Sequence, residues 1–214
     1  VTSIPNDCDV LIIDGPTSDF TKDEIKLLSS YLKKGGKVVT LLAQTDKSMK
    51  NFYGLLKDYG LNVESGYIAD TQRCYQGNYY AIFPQLSLSG DLGSGISNQM
   101  VLLLNSPGME KTDTDNDNLT VTPFMQTSDS GYAVTENDQT QGQYILGAVS
   151  TNAISADSSD SDSEDEDDKS DATDTDTKTA RLTVLASASM ISSDITDQLT
   201  TLDNLTLFVN SVTE

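Results

Sequence analysis

The sequence DVLIIDG (Asp9–Gly15), followed by FTKDEIKLLSSYLKKGGK (Phe20–Lys37), has the clearest fold pattern in the chain. The first part is a short apolar run ending in turn residues, which is typical of a strand buried on both faces of a parallel sheet. In the second part, Thr21 and Glu24 have the spacing of a capping box. We therefore expect a helix that begins after Thr21, and Gly35 can end it in the left-handed conformation.

The alternation of strands and helices continues beyond this stretch. We expect a strand at Lys37–Ala43, a helix at about Ser48–Tyr59 and an extended segment at Leu61–Asp70. This is a βαβαβ order, for which right-handed crossovers and a parallel sheet are the usual outcome. The later elements are predicted strands and a final helix that Asn204 caps; the strands are Tyr79–Pro84, Ile96–Leu104, Leu119–Gln126, Tyr144–Ser150 and Ala180–Ser189. Residues 1–214 are predicted to form a single α/β domain.

The charge of the chain is strongly acidic and unevenly distributed. Its 33 acidic and 13 basic residues give a formal charge of −20 at pH 7. Residues 157–178 contribute −9 of this and contain no aromatic or branched aliphatic residue. Such a stretch has nothing to bury, so it is predicted to be a disordered acidic insertion. An acidic chain repels phosphate, which argues against nucleic acid as a partner.

The residue types exclude several kinds of catalysis and metal binding. The chain has no His, so Ser-His-Asp and Cys-His catalysis and every His-containing zinc site are excluded. Glycine-rich nucleotide loops and the G-x-S-x-G elbow are absent from the sequence. Ser30 and Lys33 fit an S-x-x-K pattern, but they lie inside the first predicted helix. No catalytic residue and no cofactor are therefore predicted.

The sequence DTDNDN contains three alternating aspartates, Asp113, Asp115 and Asp117, as at the start of a calcium-binding EF-hand loop. That loop needs Gly at position 6 and Glu at position 12, where this chain has Asn118 and Phe124. A solvated loop is expected instead, and no metal site is predicted.

The two cysteines and the apolar runs leave two questions open. Cys8 and Cys74 could form a disulfide or stay reduced, because sequence spacing does not decide a pairing. The longest apolar runs, Val10–Ile13 and Val101–Leu104, are far shorter than the roughly 20 residues that span a bilayer. A first residue other than Met is typical of a mature product or an excised domain, so the parent protein can still contain a membrane segment.

A candidate binding site lies at the predicted carboxyl edge of the sheet. Asp14, Gly15, Pro16 and Thr17 follow the first strand, and Asp70 ends the third extended segment. Open α/β sheets bind ligands at such ends, so these five residues are predicted to bind a ligand or a partner. The alternative is a strand-to-helix turn in which Asp14 caps its own loop and Pro16 fixes the direction of the chain.

Tyr75, Tyr79 and Tyr80 form a second candidate group after a predicted turn. Aromatic rings on a loop can stack on sugars, whereas tyrosines at alternate positions of a strand commonly pack in the sheet.

Four collinear stretches together resemble one known family. They are the N-terminal stretch IPNDCDVLIIDGPTSDFTKDEIKLLSSYLKKGGKVVTLL, then LLKDYGL…GYIAD (Leu55–Leu61 and Gly66–Asp70), TPF-x-x-TS (Thr122–Ser128), and a final DNLTLFVNSV with Asn204 and Asn210. The chain is similar to the extracytoplasmic domain of GldG-like, ABC-transporter-associated auxiliary proteins.

This resemblance implies a fold, a location and partners. The fold would be a flavodoxin-like or class I glutamine-amidotransferase-like three-layer α/β sandwich with a mostly parallel sheet. The domain would be tethered to the cell membrane through segments outside this sequence. It would stand on the extracytoplasmic side beside the permease and ATPase subunits of an ABC-2-type exporter.

The resemblance also bears on activity. The amidotransferase relatives use a Cys-His pair, so a chain without His resembles a non-catalytic member of that fold. The family usually has a Gly-Asp-Ser-like turn after the late strand, whereas this chain has Ala186, Ser187, Ala188 and Ser189 there. The expected function is therefore a non-enzymatic accessory domain that binds a partner subunit or an exported ligand. The alternatives are an extracellular module that binds surface glycans and a hydrolase with a Ser-Lys or carboxylate pair.

Overall fold

The first helix forms where the sequence predicts it. In the computed structural model, which describes residues 2–154 and 178–214, β1 (Val10–Asp14) leads to α1 (Lys22–Lys33) and β2 (Lys37–Leu41). The backbone N–H of Glu24 donates to Thr21 Oγ1 at 3.3 Å, and the N–H of Thr21 donates to Glu24 Oε2 at 2.9 Å. The predicted capping box is thus confirmed, and it fixes where α1 begins.

The described elements continue to the end of the chain. They are α2 (Lys50–Asp58), β3 (Leu61–Val63), β4 (Tyr67–Asp70), β5 (Cys74–Tyr75), β6 (Asn78–Ile82), β7 (Gln85–Leu86), β8 (Leu103–Leu104), β9 (Met109–Lys111), β10 (Leu119–Gln126), β11 (Gly131–Val134), β12 (Gln139–Gln141), β13 (Ile145–Ile154), β14 (Lys178–Leu185), α3 (Ser193–Thr196) and α4 (Asn204–Thr213). Two 3-10 turns, Gly90–Gly93 and Ala188–Ile191, precede β8 and α3.

The strands form one large sheet and two small ones. The large sheet has the order β1-β2-β14-β13-β10-β7, and β9 joins it by pairing with β13 and with β3. Only the β1–β2 and β2–β14 pairs are parallel among the described strands. The two small sheets, β12-β11-β4 and β5-β6-β8, are antiparallel.

This topology contradicts the predicted fold class. The flavodoxin-like or glutamine-amidotransferase-like sandwich with a mostly parallel sheet is wrong, because the protein is mixed α/β with mostly antiparallel sheets. The error starts at Leu61–Asp70, which was expected to be the third parallel strand. Gly66, with φ of 85°, breaks this segment into β3 and β4, which pair antiparallel with β9 and β11. The edge of β2 is taken by β14, from near the end of the chain.

The C-terminal helix and the segment before β8 also differ from the sequence prediction. Within Ile96–Leu104 only Leu103–Leu104 is a strand, because the N–H groups of Ser97, Asn98 and Met100 donate to the Asp203 carboxylate. Asp203, and not Asn204, occupies the N-cap position of α4. The Asn204 side chain instead bridges inward, accepting from Leu102 N–H and donating to the carbonyl of Leu102.

The hydrophobic core lies on both faces of the large sheet. Val38, Val39 and Leu41 of β2 are almost completely buried, as are Leu182 and Val184 of β14. Because these two neighbouring parallel strands are covered on both faces, four consecutive residues of each are buried, Val38–Leu41 in β2 and Leu182–Leu185 in β14. The predicted acidic insertion, residues 157–178, lies outside the described residues except for Lys178, which pairs with Ile154 where β13 and β14 meet.

Candidate functional site

A cleft of about 760 Å³ opens beside the carboxyl end of β2. One wall is the loop after β2 together with the start of α2, and the opposite wall is the turn between β3 and β4 with the end of β11. The residues that line it are Ala43, Gln44, Thr45, Asp46, Lys47, Ser48, Met49, Lys50, Tyr53, Val63, Glu64, Ser65, Gly66, Tyr67, Tyr80, Pro107, Val134, Thr135 and Glu136. The cleft therefore lies between the large sheet and the small sheet β12-β11-β4.

The turn between β3 and β4 requires glycine at its centre. Gly66 is in the left-handed region, and a Cβ there would overlap the carbonyl oxygen of Val134 at the end of β11. Close backbone contact of this kind is available only to a residue without a side chain. Gly66 thus holds the wall of the cleft against the small sheet.

Three tyrosines give the cleft an aromatic lining. Tyr67 and Tyr80 meet edge to face with ring centroids 6.5 Å apart, and Tyr80 is 36% exposed. Burial, together with the nearby charge of Asp46, raises the pKa of Tyr67. Burial, together with the charge of Asp19, raises the pKa of Tyr53. Both hydroxyls therefore stay protonated at neutral pH and can donate hydrogen bonds.

The rest of the lining is polar and carries both signs of charge. Asp46, Glu64 and Glu136 provide carboxylates, and Lys47 and Lys50 provide ammonium groups. Such a lining, with aromatic faces between donors and acceptors, suits a polar ligand or a polypeptide segment of mixed charge. The arrangement can bind and orient a molecule without any covalent chemistry.

The predicted residues after β1 border this cleft but do not line it. Thr17 contacts the loop after β2, because the Thr45 hydroxyl of that loop donates to the Thr17 carbonyl at 3.4 Å. Asp14 is exposed. Gly15 has a φ of 54°, and a Cβ added to it would lie 3.0 Å from the Cβ of Ala188. The structure therefore places Asp14, Gly15, Pro16 and Thr17 one strand away from the centre of the cleft.

Asp19, which follows this loop, fixes the position of α2. The backbone N–H groups of Asn51 and Phe52 donate to its two carboxylate oxygens at 2.9 and 3.0 Å. Because Met49 at the N-cap has no capping side chain, Asp19 supplies the cap from another part of the chain. This contact ties the loop after β1 to the wall of the cleft.

Asp70 lies in a different sheet from the other predicted residues. It ends β4 in the sheet β12-β11-β4 and is completely buried. Its carboxylate accepts from the N–H groups of Gln72, Arg73 and Ser128 at 3.0, 2.9 and 2.7 Å, and from the Ser128 hydroxyl at 2.8 Å. Burial raises the pKa of Asp70, but these hydrogen bonds outweigh it and the net pKa is lowered. Asp70 thereby joins β4 to the β10–β11 connection.

Asp203 forms a second clamp of this type, which sequence analysis missed. It is almost fully buried and accepts from Ser97, Asn98 and Met100 across the fold. Burial by itself raises the pKa of Asp203, but the hydrogen bonds lower it by more, so the net pKa is lowered and the carboxylate stays ionised. No sequence pattern marks it, because its partners lie about a hundred residues earlier in the chain.

The loop that lines the cleft could have been found from the sequence. AQTDKS (Ala43–Ser48) is a polar stretch directly after the buried strand β2. The rule that pointed to Asp14 after β1 applies equally to this loop.

The second candidate group of tyrosines is divided. Tyr80 lines the cleft, whereas Tyr79 is 50% exposed outside it. Tyr75 packs edge to face on Phe83 with centroids 5.9 Å apart. Only Tyr80 of the three predicted stacking residues is therefore placed to contact a ligand in the cleft.

Several other features of the described residues bear on function. Cys8 and Cys74 are both free thiols. Within residues 2–154 and 178–214, no three His, Cys, Asp or Glu side chains are grouped so that they could hold a metal ion. In the same ranges, no helix is long and apolar enough to cross a membrane.

Comparison with known proteins identifies the family. The sequence profile described as "ABC-type uncharacterized transport system", an auxiliary family, matches residues 1–211. The chain belongs to this family. The resemblance to GldG-like, ABC-transporter-associated auxiliary proteins is thus confirmed, and the chain is an auxiliary domain of an ABC-type transport system.

Among solved structures, the auxiliary domain is similar to the "mmIFT52 N-terminal domain", with a TM-score of 0.57 and 15% sequence identity. The match covers 94% of this chain and 74% of that one. It supports the mixed fold described above and corrects the flavodoxin-like prediction. No curated protein matches the ABC-transport auxiliary domain.

Proposed function

We propose that this auxiliary domain is non-enzymatic and acts on the extracytoplasmic side of the cell membrane, beside the permease and ATPase subunits of an ABC-2-like exporter. It binds a segment of a partner subunit or an exported ligand in the cleft between the loop after β2 and the turn between β3 and β4. The observation that carries this proposal is the cleft itself, about 760 Å³ in volume, with aromatic and charged side chains on facing walls. Family membership supplies the transport context.

The two buried carboxylates are structural and do not have the properties of a general acid. A carboxylic acid that works as a general acid has a raised pKa, which an apolar pocket produces. Asp70 and Asp203 show the opposite, since both have lowered pKa values and are held by backbone N–H groups. Because the sequence also contains no His, the Ser-His and Cys-His pairs of hydrolases have no base here.

The predicted site residues Asp14, Gly15, Pro16 and Thr17 have a supporting part in this proposal. Their loop contacts the wall loop through Thr45, so it forms the outer margin of the binding surface. Asp14→Asn combined with Thr17→Ala is expected to weaken transport less than a change inside the cleft. Transport that fell further with this pair than with the cleft variants would place the site at the loop after β1.

The direct test is transport by the intact system that contains the variant domain. Tyr67→Ala with Tyr80→Ala removes the aromatic wall, and transport is expected to fall severalfold. Tyr79→Ala is the matched control, because Tyr79 is a neighbour of Tyr80 on β6 but lies outside the cleft. Equal activity of the cleft variant and the control, with both proteins folded and present at normal amounts, would contradict the proposal.

A surface glycan is the alternative ligand, and the aromatic lining favours it. Sugars stack on aromatic faces while carboxylate and amide groups bond to their hydroxyls, and Tyr80, Asp46 and Gln44 are all present in the cleft. A glycan array probed with the domain and with its Tyr80→Ala variant distinguishes the two ligands. Binding that is lost in the variant supports the glycan, and an array without any bound glycan excludes this alternative.

A further inference from the structure

Strand β1 forms the outer edge of the large sheet. Among the described strands it pairs with β2 alone. Gly15 N–H, directly after β1, donates to the carbonyl of Leu41 in β2 at 3.0 Å. Because successive residues of a strand turn their backbone groups to opposite sides, the N–H and C=O groups of Val10, Ile12 and Asp14 point away from β2. Within the described part of the chain, these outward groups have no backbone partner.

An apolar groove of about 220 Å³ lies beside this edge, between β1 and α1. Its described lining consists of Glu24 from the capping box and the apolar residues Ile4, Leu11, Ile12, Ile13, Phe20, Leu27 and Leu28. Ile12 is 45% exposed, although it lies at the centre of β1. Pockets for small organic ligands are commonly about 300–1,000 Å³, so this groove matches a few aliphatic side chains better than a whole ligand.

The charges along this edge are acidic. Asp9 and Asp14 are exposed at the two ends of β1, and Asp7 precedes them. Glu24 adds a carboxylate in the groove. The stretch 4–21, which contains the whole edge strand, has no Lys or Arg. A partner that approaches this edge is therefore favoured if it carries basic side chains.

The backbone groups and the charges together define the occupant. A row of outward N–H and C=O groups is satisfied by an added strand, whose alternate side chains enter pockets beside the edge. A helix, a sugar or a lipid tail cannot pair with such a row at regular intervals. We propose that the outer edge of β1 binds an extended segment of another protein, with basic residues at its ends and apolar residues at alternate positions between them.

A second copy of this chain is a poor occupant of the same edge. In an antiparallel pair of two β1 strands, Asp9 of each copy would lie near Asp14 of the other, and like charges that face each other across strands are destabilising. Each copy also carries a net charge of −20. The aspartates that favour a basic segment thus disfavour self-pairing, which is a common protection of exposed sheet edges.

Fluorescence anisotropy of the purified chain with a dye-labelled peptide tests this inference. The probe is Lys-Val-Thr-Val-Thr-Val-Lys amide, whose five central residues match the five residues of β1. The same peptide with Glu at both ends should bind about tenfold more weakly at low salt, because two ion pairs become two like-charge contacts. Raising NaCl to about 0.5 M should reduce this difference.

Backbone methylation of the peptide tests strand addition itself. Methyl groups on the nitrogens of all the valines block the N–H groups on one edge of the peptide strand, and methyl groups on those of the threonines block the other. Since an added strand bonds through one edge, at least one of the two methylated peptides should lose binding. A contact made by side chains alone would survive both changes.

Variants of the chain locate the bound peptide. Asp9→Lys combined with Asp14→Lys should weaken binding of the lysine peptide about tenfold and strengthen binding of the glutamate peptide, which also shows that the edge is intact. Asp115→Lys combined with Asp117→Lys makes the same charge change in the exposed loop before β10 and should keep the preference for the lysine peptide. Ile12→Pro removes an outward N–H, a change that edge strands tolerate, and should abolish binding while circular dichroism stays unchanged.

Hydrogen exchange gives a readout at single residues. Ile12 N–H should exchange quickly in the free chain and about tenfold more slowly, or slower still, with the lysine peptide bound. Ile13 N–H, which faces β2, should exchange slowly in both states and serves as the control.

Four results would overturn the proposal. They are no binding of the lysine peptide up to about 1 mM, equal affinity for the lysine and glutamate peptides, no effect of either methylation, and unchanged exchange at Ile12. The inference concerns a different surface from the cleft. Its failure would leave the expected effects of Tyr67→Ala and Tyr80→Ala on transport as they are.

Discussion

Replacement of Asp70 by Asn tests whether the Asp70 carboxylate stabilises the fold or serves to bind a ligand. Oδ1 of Asp70 accepts three hydrogen bonds, from Gln72 N–H, Arg73 N–H and the Ser128 hydroxyl. Oδ2 accepts the fourth, from Ser128 N–H at 2.7 Å. In Asp70→Asn one oxygen becomes an NH₂ group, so two donors face each other at a position that is completely buried.

The magnitude follows from these contacts. A buried N–H group left without an acceptor costs about 1–3 kcal/mol, and the remaining bonds lose the strength that the negative charge gives them. We therefore expect Asp70→Asn to lower the free energy of unfolding by about 2–4 kcal/mol. Asp203→Asn should cost less, because three of the four bonds to that carboxylate are 3.3 Å long. Asp14→Asn, at an exposed position, should change stability by less than about 0.5 kcal/mol.

The assay is urea unfolding at several pH values, with linear extrapolation to water. The pKa of Asp70 is lowered in the folded state, so its stabilisation is complete above the unfolded pKa of about 3.9 and is lost as the pH falls through the lower folded pKa. The gap between the wild-type chain and Asp70→Asn should therefore be constant at neutral pH and shrink below about pH 4. A gap under about 0.5 kcal/mol at pH 7, or one that does not shrink in acid, would refute the reasoning.

Three further predictions concern the walls of the cleft and the core. Asp19→Ala removes the cap of α2 and should lower the free energy of unfolding by about 1 kcal/mol, as measured by thermal or urea unfolding. Asp23→Ala, on the exposed side of α1, is the control and should cost less than half of that. Equal effects of the two changes would contradict the capping role of Asp19. Gly66→Ala should lower the free energy of unfolding by about 2 kcal/mol or more, because Gly66 has a positive φ and an added Cβ would overlap Val134. Gly54→Ala is the control, since Gly54 lies in α2 with open space around it and the change should be neutral or stabilising. Similar stability of the two variants would argue against the strain at Gly66. Burial raises the pKa of Tyr59 to about 12, so its stabilisation is full below the unfolded pKa of about 10 and is lost as the pH rises through 12. The difference between the phenolate absorbance titrations of the wild-type chain and of Tyr59→Phe isolates this residue and should have its midpoint near pH 12, and a midpoint near pH 10 in that difference would contradict the burial.

The local structure of the N-terminal third could be predicted because its determinants are close in sequence. The capping box of α1 and the positive φ of Gly35 at its end depend on residues within a few positions of each other. The same holds for β2, whose apolar run identifies a buried strand. The similar run of β1 predicts burial on both faces, and this is wrong, because β1 lies at the edge of the large sheet and Ile12 is exposed. Such patterns fix elements, but they do not fix which strands pair.

The sheet topology could not be predicted for this reason. β2 pairs with β14, whose residues lie about 140 positions later in the chain, and neither strand has a sequence feature that indicates its partner. Gly66 contributed to the error, because an isolated glycine inside an extended segment indicates a bulge or a break equally well. Because β4 belongs to the small sheet, Asp70 does not lie at the expected edge of the large sheet, and its carboxylate instead accepts a hydrogen bond from Ser128 N–H.

The residues predicted to bind after β1 lie one strand away from the cleft in which we propose binding. The rule that ligands bind at the carboxyl ends of parallel strands pointed to the loop after β1, whereas the cleft forms at the loop after β2. The difference arises because the second wall comes from β4 and β11, which belong to a sheet that the sequence did not reveal. The polar stretch Ala43–Ser48 was the residue-level indication of this cleft.

The most direct test of the binding role is site-specific photo-crosslinking in the intact transport system. A photoreactive phenylalanine analogue placed at Tyr80 lies in the cleft, and the same analogue at Tyr79 lies outside it. If the cleft binds a transporter subunit or an exported ligand, irradiation should give a crosslinked product from position 80, a much weaker one from position 79, and loss of the product when Tyr67 is replaced by Ala. Equal crosslinking from both positions, or none from position 80 in a folded and actively transporting system, would contradict the account.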